Sequence, residues 1–193
     1  MRASFAAAGA LMLVTLALAS LGCGSQEPDV PTPTPAEARA ALTRSPAPLA
    51  ALHRQAAQLL GGELPAFRTR LDALRGRPVV VNAWASWCPP CRREMPFFQR
   101  TAVRYGRRVA FLGIDVKDPD RERARTFMRK HWAPYPSYAD PDEEIADEIG
   151  VSTGLPTTVF YDAGGKVAFV HQGPYRDEQG LRADIERYAT PSS

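Results

Sequence analysis

Cys88 and Cys91 stand three residues apart in Trp87-Cys88-Pro89-Pro90-Cys91, the pattern in this chain that most directly carries chemistry. On the first turn of a helix, side chains three apart share a face, with Cα atoms about 5–6 Å apart, a separation that a disulfide can close. The pair therefore predicts reversible disulfide exchange. Cys88, nearer the helix N-terminus, would face free backbone N–H groups and the positive end of the helix dipole, so it is the expected nucleophile. Cys91, one turn further in, would resolve the mixed disulfide. Two other uses of paired cysteines fit less well. A purely structural bridge around two residues removes little entropy from the unfolded chain. Half a zinc site would need more ligands, yet there is no second Cys-x-x-Cys and no histidine pair; His53, His131 and His171 stand alone and read as surface or packing residues.

These cysteines need a strand to deliver them and a helix to hold them. Residues 79–84 form an apolar, β-branched run with Asn82 as its polar exception, which predicts a buried strand. Met95, Phe98, Ala102 and Tyr105 make one stripe of a helix over 91–105, and residues 109–114 read as a second buried strand, completing a βαβ unit. Two more helices are expected to begin at Asp118-Pro119-Asp120 and Asp140-Pro141-Asp142, each with a capping acid followed by proline. Residues 157–161 and 167–171, joined by Asp162-Ala163-Gly164-Gly165, predict a hairpin. A last helix, capped by Asp177, presents Leu181, Ile185 and Tyr188. The expected class is α/β, a central mixed β-sheet flanked by helices on both faces.

The run from Val79 to Pro96, including Trp84-Ala85-Ser86-Trp87-Cys88-Pro89-Pro90-Cys91-Arg92-Arg93-Glu94-Met95, resembles the active-site block of the TlpA/ResA/CcmG family of thioredoxin-like proteins. Gly154-Leu155-Pro156-Thr157-Thr158 resembles that family's cis-proline loop, and the likeness extends over about residues 64–188. The resemblance implies a thioredoxin fold over 64–190 and a thiol-disulfide oxidoreductase. It implies that Pro156 has a cis bond, packs against the cysteine pair and offers backbone to the substrate. Trp87, Pro89, Pro90 and Glu94 match the active-site surroundings, where the glutamate tunes cysteine ionisation; ordinary thioredoxins carry a buried aspartate at the place of Asn82. Met95 and Pro96 read as core and helix kink, and Trp84 as packing beneath the pair.

The direction of electron flow is expected to be reduction of protein disulfides. Pro89-Pro90 supplies no side-chain charge and removes two backbone donors, which disfavours the strongly acidic thiol of an oxidant. A disulfide-forming oxidant is the alternative, favoured by Arg92 and Arg93. A peroxidase would need a Pro-x-x-x-Thr-x-x-Cys motif, and a copper- or haem-handling binding protein would need more soft ligands than Met95. The expected partners are client proteins with disulfides, with apocytochrome c suggested by the resemblance, and a membrane thiol donor. No cofactor is expected beyond the redox-active pair.

The rest of the chain bears on where this happens. Arg2 and the uncharged apolar residues 5–21 predict a signal peptide over 1–22. Ser20-Leu21-Gly22-Cys23 resembles a lipobox and makes Cys23 the expected lipid anchor, while Ala17-Leu18-Ala19 offers a rival cleavage site that would leave the protein secreted or periplasmic. Either way the domain is extracytoplasmic, and lipidation would hold it at the outer face of the membrane. Three cysteines are odd in number, and a lipid on Cys23 would leave the other two as a pair. Residues 23–48 hold six prolines after Gly24 and read as a linker, and residues 49–76 as a helical N-terminal extension with helices over 49–60 and 64–74. With 24 basic and 21 acidic residues, scattered rather than striped, the charge of +3 excludes a nucleic-acid partner on composition.

Overall fold

The structure is a computed structural model that describes residues 31–151 and 154–189. The predicted signal peptide, the lipobox and Cys23 lie outside the described residues. The elements are α1 (Pro35–Ala41), α2 (Ala47–Arg54), β1 (Leu59–Leu60), α3 (Glu63–Ala73), β2 (Val79–Trp84), α4 (Pro89–Tyr105), β3 (Ala110–Val116), α5 (Arg121–Lys130), β4 (Ser137–Asp140), α6 (Glu144–Glu148), β5 (Thr157–Tyr161), β6 (Val167–Gln172) and α7 (Glu178–Tyr188).

The strands form one sheet in the order β1-β4-β3-β2-β5-β6. The first four run parallel, and β5 and β6 are antiparallel to their neighbours, so the sheet is mixed. β2 lies near the middle and is buried along its whole length, and its side chains alternate between faces. Val80 and Trp84 join one core with Phe98 and Ala102 of α4, Phe127 of α5 and Leu181 and Ile185 of α7. Val79, Val81 and Ala83 join the other, with Leu49 and Leu52 of α2, Phe67 of α3 and Ile145 of α6. The expected thioredoxin-like α/β architecture is therefore present. The alternation also fixes Asn82, between Val80 and Trp84, on the face covered by α4.

Several boundaries differ from the sequence reading for identifiable reasons. The segment read as a linker over 23–48 contains α1, closed by a capping box: Thr34 Oγ1 accepts from the Glu37 N–H, and the Glu37 carboxylate accepts from the Thr34 N–H. Ala38 and Leu42 are buried, so this stretch belongs to the core. The helix expected over 49–60 ends at Arg54. Leu59 and Leu60 instead make an edge strand on β4, with Leu59 packed on one core and Leu60 on the other. Asp118 does not cap α5; Asp120 does, accepting from the Glu122 N–H. Asp140 ends β4, a strand too short and polar to be predicted, while its carboxylate reaches forward to the N–H groups of Ile145 and Ala146 at the start of α6.

Candidate active site

β2 leaves the sheet at Trp84, and a tight turn closed by the Cys88 N–H on the Ala85 carbonyl, at 3.1 Å, carries the chain into α4. Cys88 is the N-cap residue. The first helical positions are Pro89 and Pro90, which have no N–H to leave unpaired, so the first donor of the helix is the Cys91 N–H. It points to the Cys88 sulfur at 3.2 Å. Cys88 and Cys91 are joined as a disulfide with a Cα separation of 5.4 Å, and both are buried. A helix N-terminus of this form is arranged to stabilise negative charge on the Cys88 sulfur once the bond is reduced.

Two consecutive residues of the β3–α5 connection hold this turn from outside. The Asp118 carboxylate accepts from the Ser86 N–H at 2.7 Å and from the Ser86 hydroxyl at 2.9 Å. The Lys117 carbonyl accepts from the indole N–H of Trp87 at 3.2 Å. Lys117 takes a left-handed backbone conformation, with φ of 52°, a geometry that costs a non-glycine residue about 1 kcal/mol or more. Its N–H is fixed on the Asp140 carbonyl and its ammonium pairs with Glu143. Below it, Asp115 is buried at the end of β3. Burial first, then the neighbouring Asp118 carboxylate, pushes the Asp115 carboxyl up to about 8, against the pull of Arg121.

The inner wall comes from α4 and the loop before α7. Glu94 is 1 % exposed, which sets aside a solvated helix carboxylate. Its carboxylate accepts from the Asn82 side-chain amide at 3.1 Å and from the Tyr175 N–H at 3.2 Å. Burial pushes its pKa up to about 7, and the two hydrogen bonds hold it back from rising further. Tyr175 is itself pinned, its hydroxyl donating to Asp184 at 2.8 Å and its ring stacked on His171 with centroids 3.9 Å apart. Trp84 stacks on Phe127 at 4.6 Å and donates its indole N–H to Ser137, so it packs under the site as expected. Met95 is buried and Pro96 lies inside α4, consistent with core and kink.

Trp87 leaves 50 % of its surface to solvent, beside the turn. The Leu155–Pro156 bond is cis. Because Ala83 of β2 pairs with Thr157 of β5, Pro156 lies at the sheet edge from which β2 leaves towards Cys88. The Pro156 carbonyl is taken by the Gly173 N–H at 3.0 Å, and Leu155 packs against the core that holds both cysteines.

The structure thus gathers Trp87, Cys88, Pro89, Pro90, Cys91 and Glu94 on one turn and helix, with Pro156 at the adjoining strand. His131 and His171 pack on Phe127 and Tyr175, and among the described residues no group of three or more His, Cys, Asp or Glu side chains is placed to hold a metal. Sequence reasoning missed Lys117, Asp118, Asp115 and Tyr175. Asp118 carried a visible sign, an acid next to proline, which points equally to a helix cap and to a clamp.

A model of the AhpC/TSA family matches residues 57–170. The thiol:disulfide interchange protein DsbE homolog of Paracoccus denitrificans is 36 % identical over 130 residues, covering 66 % of this chain and 69 % of that protein. DsbE of Escherichia coli is 33 % identical over 146 residues, covering 68 % and 76 %. Among solved structures, a thioredoxin-family thiol:disulfide interchange protein from Chlorobium tepidum superposes with a TM-score of 0.54 at 30 % identity, covering 61 % of this chain and 83 % of that one.

Proposed function

The chain belongs to the AhpC/TSA family of thioredoxin-fold proteins and is a thiol-disulfide oxidoreductase, and from that premise we propose that it reduces protein disulfides outside the cytoplasm. The observation that carries this reading is the Cys88–Cys91 disulfide at the first turn of α4, with the Cys88 sulfur in the N-cap position. In the dithiol form the Cys88 thiolate attacks one sulfur of a client disulfide. A Cys88–client bond forms, the client bond breaks, and the released client thiolate takes a proton. Cys91 then gives up its proton and attacks the Cys88 sulfur, which forms the Cys88–Cys91 disulfide and releases the second client thiolate. Two electrons have passed from the pair to the client, and the cycle draws on no bound group other than the two sulfurs.

Glu94, one helical turn beyond Cys91 and poised near neutrality, is the acceptor we assign to the Cys91 proton. The prolines argue for direction. With no N–H on Pro89 or Pro90, the Cys88 sulfur has one donor where other sequences would offer three, so its thiolate is less stabilised and the disulfide harder to reduce. Arg92 and Arg93, exposed beside the pair, are the feature that favours an oxidant instead. A membrane thiol donor would return the pair to the dithiol form. The apolar leader and Cys23 support export and lipid attachment to the outer face of the membrane, and the client class extends to an apocytochrome c. No helix among the described residues is long and apolar enough to cross a membrane.

The reduction potential of the Cys88/Cys91 couple, equilibrated against defined thiol buffers, tests the direction. A value near or below about −250 mV is expected; a value above about −150 mV would make the protein an oxidant.

A further inference from the structure

Beside the active-site turn lies an open cavity of about 560 Å³, walled by Ser86 and Trp87 on one side and by α5 on the other, with Phe127 among its apolar residues. That volume suits a short stretch of polypeptide. Five charged side chains line it, and their partners decide its sign. The two acids are already engaged: Asp120 caps α5, and Glu122 pairs with Arg129 at 2.9 Å and Arg125 at 3.6 Å. The three cations are Arg92, Arg123 and Lys130, all exposed, and among the described residues no carboxylate pairs with them. Two of them, Lys130 and Arg92, act on a common place. His131, which lies in the same wall, has its protonation disfavoured first by burial and then by the charges of Lys130 and Arg92.

Ser86 and Trp87 belong both to this cavity and to the turn that presents the attacking Cys88, so whatever fills the cavity lies beside that turn. We propose that the cavity receives the client's chain beside its disulfide and selects clients that carry acidic residues next to an apolar one there. The apolar side chain would pack on Phe127 and Trp87, and the carboxylates would meet Arg92, Arg123 and Lys130. This rests on the redox reading above and names the client chemistry that such a reductase prefers. Complementary charge at a rim acts mainly on encounter and choice of partner, so the preference should be sensitive to salt.

The test uses the full chain in detergent with two peptides that share one disulfide and one phenylalanine and differ in carrying two Glu or two Lys beside a cysteine. The Glu peptide should be reduced about fivefold faster at low salt, the scale of two exposed charge pairs, with the advantage shrinking at high salt. Arg123→Glu/Lys130→Glu should invert the ratio, whereas the charge-matched Arg39→Glu/Arg107→Glu should leave the ratio as it was. Equal rates for the two peptides, or a preference that survives the α5 double variant, would overturn the proposal. Versions with serine for cysteine keep the two ideas apart: calorimetric binding of the inert Glu peptide, lost in the α5 variant, supports the groove even if turnover should fail. Tighter binding of polyphosphate or of anionic vesicles at the same residues would make it a phosphate site and overturn a peptide site.

Discussion

At the scale of single residues, Glu94 is the residue of α4 whose ionisation burial displaces into the neutral range. Its folded pKa, about 7, lies above the ordinary 4.5, so the native state holds a proton that the unfolded chain releases between those values. Stability from this carboxyl is therefore present in full below about pH 4.5 and falls as pH rises towards 7. Glu94→Gln cannot titrate, and it leaves one of the two donors, Asn82 Nδ2 or the Tyr175 N–H, facing an amide NH₂, a loss that does not vary with pH. Denaturant midpoints of wild type and variant should thus converge or cross as pH rises from 4.5 to 8, by on the order of 2–3 kcal/mol. Parallel curves would remove the buried, titrating carboxylate from the account. In turnover, the same variant should lose the pH limb near neutrality, because Cys91 no longer has its acceptor. The cysteines and this glutamate were legible in the sequence because their spacing from one another is local. Tyr175, which sets one of Glu94's hydrogen bonds from 81 residues away, carried no such local sign.

At the scale of elements, the active-site turn is held by a loop from a neighbouring strand as much as by its own helix. β2 and β3 are paired in register, Trp84 opposite Asp115, so the residues that follow each strand emerge side by side and Asp118 meets Ser86. Asp118→Ala would remove acceptors from both the Ser86 N–H and its hydroxyl, and Ser86→Ala only the second. The expected costs are about 1–3 kcal/mol for the first and less for the second. Hydrogen exchange at the Ser86 amide should accelerate in Asp118→Ala and remain slow in Ser86→Ala. Alkylation of reduced Cys88 should change with the first variant alone; an unchanged rate would mean that the turn keeps its shape without the clamp. The elements themselves were read correctly wherever a run was long and apolar, as in β2 and α4. They were misread where two structures share one pattern: Leu59 and Leu60 fit a helical stripe and a two-residue strand equally, and only pairing with Ser137 and Tyr138 decides between them.

At the scale of the whole molecule, the question is where the domain begins. Composition alone reads residues up to Pro48 as a linker, because six prolines in 25 residues favour an extended chain over a core. Position matters more than number. Pro35 occupies the start of α1 and Pro46 and Pro48 the start of α2, where their missing N–H groups cost nothing. The Thr34-x-x-Glu37 capping box is a local sequence signal for α1, and it points to a helix where proline content points to a linker. Leu42 lies against the end of α4, so close that a Cβ on Gly106 would come within 2.9 Å of it, and Leu49 and Leu52 enter the core on the other side of the sheet. Among the described residues the fold thus takes in α1, from its cap at Thr34. A chain starting at Pro31 should melt several degrees above one starting at Leu49, since the shorter chain loses the buried Ala38 and Leu42, about 2 kcal/mol of burial. Leu42→Ala in the longer chain should account for most of that difference. Equal melting temperatures for the two chains would mean that α1 rests on the domain without stabilising it.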